Sequence, residues 1–277
     1  MSVIDEPFSL FANPRAPTGD TSPRRQARFR SAQRGIVFAA TNTAQGIPLI
    51  KSTPPTTRTA IVDWSAVDTV ILDMDGTILD LHYDNTVWNQ LLPRAYADQH
   101  RLSLHEAEEV LYGHMRDVRG SIDFYSFEHW TAFTGLDLIA LHRRATDLVT
   151  YRPGAQAFLR WLQASHRQSL IATNAHRDSL AVKFSHIDLE QEVDAVISSH
   201  DFGHPKEAAP FWSALQASHP FDRARALFVD DNEEVLAAAA AYGIANVLCV
   251  AQPDSQRPVR DVLRYPSFND FAELQAA

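Results

Sequence analysis

The chain is predicted to fold as an α/β protein, a doubly wound parallel sheet with an inserted all-helical domain. Three observations predict it. Short, almost wholly apolar runs recur from about residue 67 onward, the pattern of strands buried on both faces. Segments with apolar residues at helical spacing separate these runs, as a parallel sheet requires of its crossovers. Between the first run and the second lie residues 82 to 150, which carry helical pattern only and are too many for a simple connection.

A chain of 277 residues, 45% hydrophobic, has enough apolar material for one sizeable core and a smaller domain. Residues 1 to 60 stand apart. Pro14, Pro17, Pro23, Pro48, Pro54 and Pro55 fall among Ser, Thr and Arg, so this stretch is predicted to be a mobile extension. Its Arg24-Arg25 pair is not followed by an apolar core long enough for twin-arginine export, since residues 35 to 40 are too few. The extension holds 8 Lys+Arg against 3 Asp+Glu, leaving 17 against 31 for the rest of a chain whose net charge is −9. So acidic a body argues against a nucleic-acid polymer as partner, but is compatible with a small phosphorylated substrate held through a divalent cation. The single cysteine, Cys249, excludes an intrachain disulfide and sits in an apolar run, where it reads as a small buried hydrophobe. No apolar run approaches the ~18 residues of a membrane span, so no membrane partner is expected and the location is expected to be cytoplasmic.

The first strand is Val70-Ile71-Leu72, ending in Asp73-Met74-Asp75-Gly76-Thr77. In the insertion, Val87, Leu91, Leu92 and Tyr96 recur at helical spacing, and Ser103-Leu104-His105-Glu106 is a capping-box signature. Gly120 and Gly135 punctuate its second half, and about four helices are expected in all. Pro153 is placed to start the helix carrying Phe158, Leu159 and Leu162, which returns the chain to its main domain. The remaining strands are expected at residues 169–174, 193–198, 226–231 and 245–251, with helices near 180–186, 207–218 and 233–242. The core is thus residues 61–81 and 151–277, and the helical cap residues 82–150.

Ligands of such sheets bind beyond the carboxyl ends of the strands, and polar residues collect there in this chain. Asp73 and Asp75 end the first strand, Thr173-Asn174 the second and Asp230-Asp231 the fourth, while Lys206 comes after the third. An aspartate at a strand end can attack phosphorus if a metal or lysine offsets the charge, and a second can act as general acid and base. Each feature alone reads equally as a polar turn or a helix cap. His200 and His204 are four apart, but Gly203 and Pro205 argue against a helical zinc pair.

These motifs resemble those of the haloacid-dehalogenase-like hydrolases with a helical cap, over roughly residues 66 to 270. The resemblance implies a Rossmann-like core and Asp73 as nucleophile, forming an aspartyl-phosphate. It implies that Asp75 protonates the leaving oxygen and then activates water, and that Thr173, Asn174 and Lys206 bind the phosphoryl group. Mg²⁺ would be held by Asp73, the carbonyl of Asp75 and Asp231, with Asp230 in support. The chain departs from the common pattern in carrying Asp230 where many members have Gly, and Val235 where they have an acid. An acid at Asp75 marks the phosphate-transferring branches over the dehalogenases. Further runs, Asp84-Asn85, Thr173-Asn174-Ala175-His176 and Phe202-Gly203-His204-Pro205-Lys206-Glu207 among them, are similar to the bacterial GMP/IMP nucleotidase branch, which implies purine nucleoside 5′-monophosphates as substrates. Trp88, Tyr125, His129 and Trp130 are then candidates for stacking the base, and Asn85 and His176 for contacting ribose or phosphate; aromatic packing within the cap is the competing reading. Phosphatase action on another small phosphomonoester, such as a sugar phosphate, stays open, as does an inactive regulatory binding module.

Overall fold

The computed structural model describes residues 61–262 and 264–275; the expected N-terminal extension, residues 1–60, lies outside them. Six strands form one sheet: β1 (Thr69–Leu72), β2 (Gln168–Thr173), β3 (Ala195–Ser198), β4 (Ala226–Asp230), β5 (Asn246–Val250) and β6 (Ser267–Phe268). Their order is β3-β2-β1-β4-β5-β6 and every pairing is parallel. The chain runs from β1 outward to β3, then crosses back to β4 beside β1. That reversal places the carboxyl ends of β1 and β4 next to each other, where doubly wound sheets open a crevice.

Side chains alternate across the sheet with period two, and each face has its own core. Val70, Leu72, Ile171 and Val229 face one side, together with Phe158 and Leu162 of α6 (Ala155–Ala164). Ile71, Leu170, Ala172 and Phe228 face the other. There they meet Phe211, Trp212 and Leu215 of α8 (Ala209–Ser218), and Val235, Leu236 and Ala239 of α9 (Glu233–Tyr242). Cys249 is fully buried in this second core.

The insertion contains α1 (His82–Thr86), α2 (Leu92–His100), α3 (Leu104–Val118), α4 (Phe127–Thr134) and α5 (Leu138–Arg143), one helix more than expected. A π-helical turn, Val87–Leu91, joins α1 to α2 just ahead of Pro93. Proline has no N–H and crowds the preceding turn, so a widened turn accommodates it within a continuous helix. The capping box at Ser103 forms: Glu106 N–H donates to Ser103 Oγ at 3.3 Å and Ser103 N–H to Glu106 Oε2 at 2.8 Å. Gly135 ends α4 in the left-handed conformation. The chain enters and leaves the insertion through adjacent segments, with Asp80 N–H donating to Thr150 O and Arg152 N–H to Ile78 O, each at 2.9 Å. The α6 helix begins at Ala155, two residues beyond Pro153. The two-residue strand β6 was not expected, being too short to show periodicity.

Candidate active site

The turn after β1 is built by backbone hydrogen bonds from Ile78 and Leu79 N–H to Met74 O, at 2.9 and 2.8 Å. Gly76 stands at φ +87°, and a Cβ there would lie 2.9 Å from Asp231 Cγ. The turn needs glycine on both counts, backbone conformation and room for Asp231.

Asp73 leaves the end of β1 buried, its N–H donating to Val229 O at 2.8 Å. Its Oδ1 accepts from Lys206 Nζ at 2.5 Å, and Lys206 also donates to Asp230 Oδ2 at 2.7 Å. Burial pushes the Asp73 carboxyl up to about 7, against the pull of Lys206. Burial alone would disfavour the Lys206 ammonium, yet Asp230 and Asp73 together hold it above the ordinary lysine range. The rest of the local network fixes where Lys206 sits. Its N–H donates to Asn174 Oδ1 at 2.9 Å, and Asn174 Nδ2 donates to Glu207 Oε2 at 3.0 Å. Tyr125, from the insertion, donates to Glu207 Oε1 at 2.7 Å.

Asp73, Asp230 and Asp231 can each offer an oxygen to one metal ion. Asp230 has both oxygens engaged, by Lys206 and by Asn232 N–H at 2.7 Å. Asp73 Oδ2 and Asp231 Oδ2, in contrast, are buried without a hydrogen-bond donor. The nearest ionic partner of Asp231 Oδ2 is Arg260, at 3.7 Å. Two buried anionic oxygens lacking donors are expensive unless a cation satisfies them, and a hard divalent ion with oxygen preference fits the donor set.

Asp75 turns to a different partner. Its Oδ1 accepts from Lys183 Nζ at 2.6 Å, and Lys183 also donates to both oxygens of Asp84, at 2.9 and 3.1 Å. Lys183 lies on α7 (Arg177–Phe184) with its side chain 1% exposed. The two aspartates of the β1 turn thus share a pocket but pair with separate lysines.

That pocket is a cleft of about 670 Å³, part of it open to solvent. Asp73, Asp75, Thr173, Asn174, Lys206, Asp230 and Asp231 all line it, as do Trp88, Tyr125 and His176. Thr173 Oγ1 accepts from Ala175 N–H at 3.0 Å, and His176 Nε2 lies 2.7 Å from Glu128 Oε2 of the insertion. Three expected substrate residues are placed elsewhere. Asn85 donates to Asp254 Oδ2 at 2.8 Å, His129 pairs with His114 at 2.7 Å, and Trp130 is fully buried with its Nε1 donating to Phe124 O. Their polar atoms are satisfied inside the insertion or against the 253–255 loop, so none of the three joins the lining. Phe124, Phe127 and Asp84 line it instead. The helical spacing of aromatic residues marks which ones pack, but not which of them face the cleft.

A Rossmann-like parallel sheet with a buried aspartate, a lysine and paired acids at its carboxyl edge points to a class of α/β hydrolase. Residues 67–243 match the family model described as haloacid dehalogenase-like hydrolase, and the chain belongs to that family. The chain is 38% identical over 213 residues to the GMP/IMP nucleotidase YrfG of Escherichia coli (strain K12), covering 77% of this chain and 96% of that protein. The YrfG of Shigella flexneri matches to the same extent. Among solved structures, the HAD phosphatase from Thermococcus onnurineus has the same fold, with a TM-score of 0.63 at 20% identity over 76% of this chain and 96% of that one. No helix among the described residues is long and apolar enough to cross a membrane.

Proposed function

We propose that this protein hydrolyses phosphomonoesters through an aspartyl-phosphate on Asp73, with purine nucleoside 5′-monophosphates, GMP and IMP, as substrates. The observation that carries the chemistry is Asp73 itself: a buried strand-end carboxylate with one oxygen on Lys206 and the other without a donor. The purine preference is supported by the similarity to the YrfG proteins.

In this reading Asp73 attacks phosphorus as the bond to the ester oxygen breaks, and Asp75 gives that oxygen a proton. Asp75 then takes a proton from water as the water oxygen attacks the aspartyl-phosphate, which frees Asp73 and inorganic phosphate. Lys206 orients Asp73 and offsets the charge of the incoming phosphoryl group. Thr173, at the adjacent strand end, is the second phosphate-binding group. Asn174 acts through Lys206, since its amide already bridges Lys206 N–H and Glu207. Asp73 and Asp231, with Asp230 holding Lys206 beside them and the Asp75 carbonyl nearby in the turn, are the residues that would hold Mg²⁺. When bound, that ion neutralises the carboxylates and polarises the phosphoryl oxygens. Residues 82–150 act as a cap: Trp88, Phe124 and Phe127 give the cleft an apolar wall suited to a base, while Tyr125 and His176 join cap to core.

The test is phosphate release from GMP, IMP, other nucleoside monophosphates and sugar phosphates with Mg²⁺. GMP and IMP are expected to give the highest kcat/KM, with activity lost in EDTA and in Asp73→Asn. A sugar phosphate at the top of the panel overturns the purine assignment, and activity surviving both treatments overturns the mechanism.

A further inference from the structure

Behind Asp75 and Asp84, two carboxylates of the cleft lining, stands a second buried cation, Lys183, that the proposed reaction leaves without a task. Lys183 stands on the core helix α7, yet its ammonium reaches the β1 turn and the first helix of the insertion at once. An ammonium buried this deeply is costly unless paired, and a leucine or methionine would fill the same space without that cost. What the lysine adds is direction. An ammonium has three N–H donors, and three carboxylate oxygens surround this one: both oxygens of Asp84 and Oδ1 of Asp75. The Tyr83 ring, its centroid 5.1 Å from Nζ, covers it as well. No donor remains for a substrate, so Lys183 is not a second phosphate binder.

We infer that Lys183, anchored by Asp84, is a positioning residue that holds the Asp75 carboxylate by its Oδ1 and leaves Oδ2 to exchange the proton with the leaving oxygen. This rests on the aspartyl-phosphate reading. Asp84 grips Nζ through both oxygens of its carboxylate, and Nζ in turn restrains rotation of the Asp75 carboxylate. An acid that must meet a departing oxygen within hydrogen-bond reach gains from such restraint. Because Asp84 belongs to the start of the insertion and Lys183 to the core, the restraint is complete only when the base of the insertion sits against α7.

Leaving-group dependence separates this role from a merely structural one. A nucleoside 5′-alkoxide needs a proton to depart, whereas a 2,4-dinitrophenolate does not, and kcat/KM reports the steps through that departure. Lys183→Met is expected to lower kcat/KM for GMP by about 100-fold or more, the scale of lost general acid catalysis, while changing that for 2,4-dinitrophenyl phosphate by less than about fivefold. Asp75→Asn should show the same split. Asp84→Asn, which keeps the lysine and the side-chain shape, should show a smaller split of the same sign, and it carries the test should Lys183→Met not fold. Equal losses on both substrates, or no loss on GMP, in a folded variant overturn the inference. Wild-type protein and Asp73→Asn run beside them keep the two readings apart: an inactive wild type or an active Asp73→Asn removes the phosphohydrolase reading, whereas a normal pair without the split removes only the role of Lys183.

Discussion

Replacing Lys206 with methionine tests the centre at its most concentrated point. Nζ lies 2.5 Å from Asp73 Oδ1 and 2.7 Å from Asp230 Oδ2, and at an effective dielectric near 20 each contact is worth roughly 6 kcal/mol before desolvation is subtracted. Methionine fills much of the volume but leaves Asp73 and Asp230 buried without their counter-charge. Removing one partner of a buried ion pair destabilises by about 3–5 kcal/mol, so the variant is expected to unfold at clearly lower denaturant. Part of that loss should be recovered on acidification, because Asp73 and Asp230 are already raised by burial and would accept protons in the variant. Activity should fall further than stability. Loss of one positive charge at ~4 Å from the phosphoryl group corresponds to about 4 kcal/mol, or roughly a thousandfold in kcat/KM. The assays are phosphate release and urea unfolding on the same preparations. A Lys206→Met protein that is folded and within about tenfold of wild-type kcat/KM refutes the charge argument and the assignment of Lys206 with it.

Gly76→Ala is expected to destabilise by about 1–3 kcal/mol through its left-handed backbone. It should also depress activity by displacing Asp231, whose Cγ lies 2.9 Å from the new Cβ; wild-type melting and turnover in the variant would contradict this reading of the turn. His142 is fully buried between Tyr83, Trp88 and Phe127, and burial, aided by Lys183, lowers its pKa from 6.5 to about 3. The unfolded chain binds a proton there that the folded protein refuses, so this stability contribution is complete above about pH 6.5 and is lost as pH falls. Between pH 7 and pH 5 the loss is about 2 kcal/mol, and His142→Gln should lose that much less in urea unfolding over the same interval. Identical pH dependence of the two proteins would reject the buried neutral imidazole.

One physical division separates the features that the sequence revealed from those it hid. The strands were legible because β1 and β4 are buried on both faces, which forces uninterrupted apolar runs such as Val70-Ile71-Leu72 and Leu227-Phe228-Val229. The positions of Asp73, Thr173 and Asp230-Asp231 were legible for the same reason: a polar residue directly after such a run sits at a strand end. Helices give no equivalent marker. Asn85 was one of the expected substrate contacts, yet its neighbour Asp84 faces the cleft, and one step along a helix turns a side chain by about 100°. Lys183 was hidden further still. Its partners stand 108 and 99 residues away, and its only local sign is a charge placed between Val182 and Phe184.

The division of charge around the cleft accounts, in the proposed reaction, for two aspartates two residues apart doing different work. Asp73 and Asp230 share the Lys206 ammonium, Asp231 lies beside them with Arg260 at 3.7 Å, and it is on this side that two buried oxygens lack donors. In the proposed reaction a divalent cation would sit there. Asp75 and Asp84 share Lys183 on the other side, and neither has a buried oxygen left without a donor. A carboxylate gripped by a divalent ion is held ionised and makes a poor proton donor, so the residue that shuttles the proton must keep its side chain out of the metal's reach. Lys183 does this by giving Asp75 a monovalent partner in another direction. In the proposed reaction the two lysines, from separate crossovers, are therefore not redundant: Lys206 serves the carboxylate that attacks, and Lys183 holds its neighbour clear of the metal.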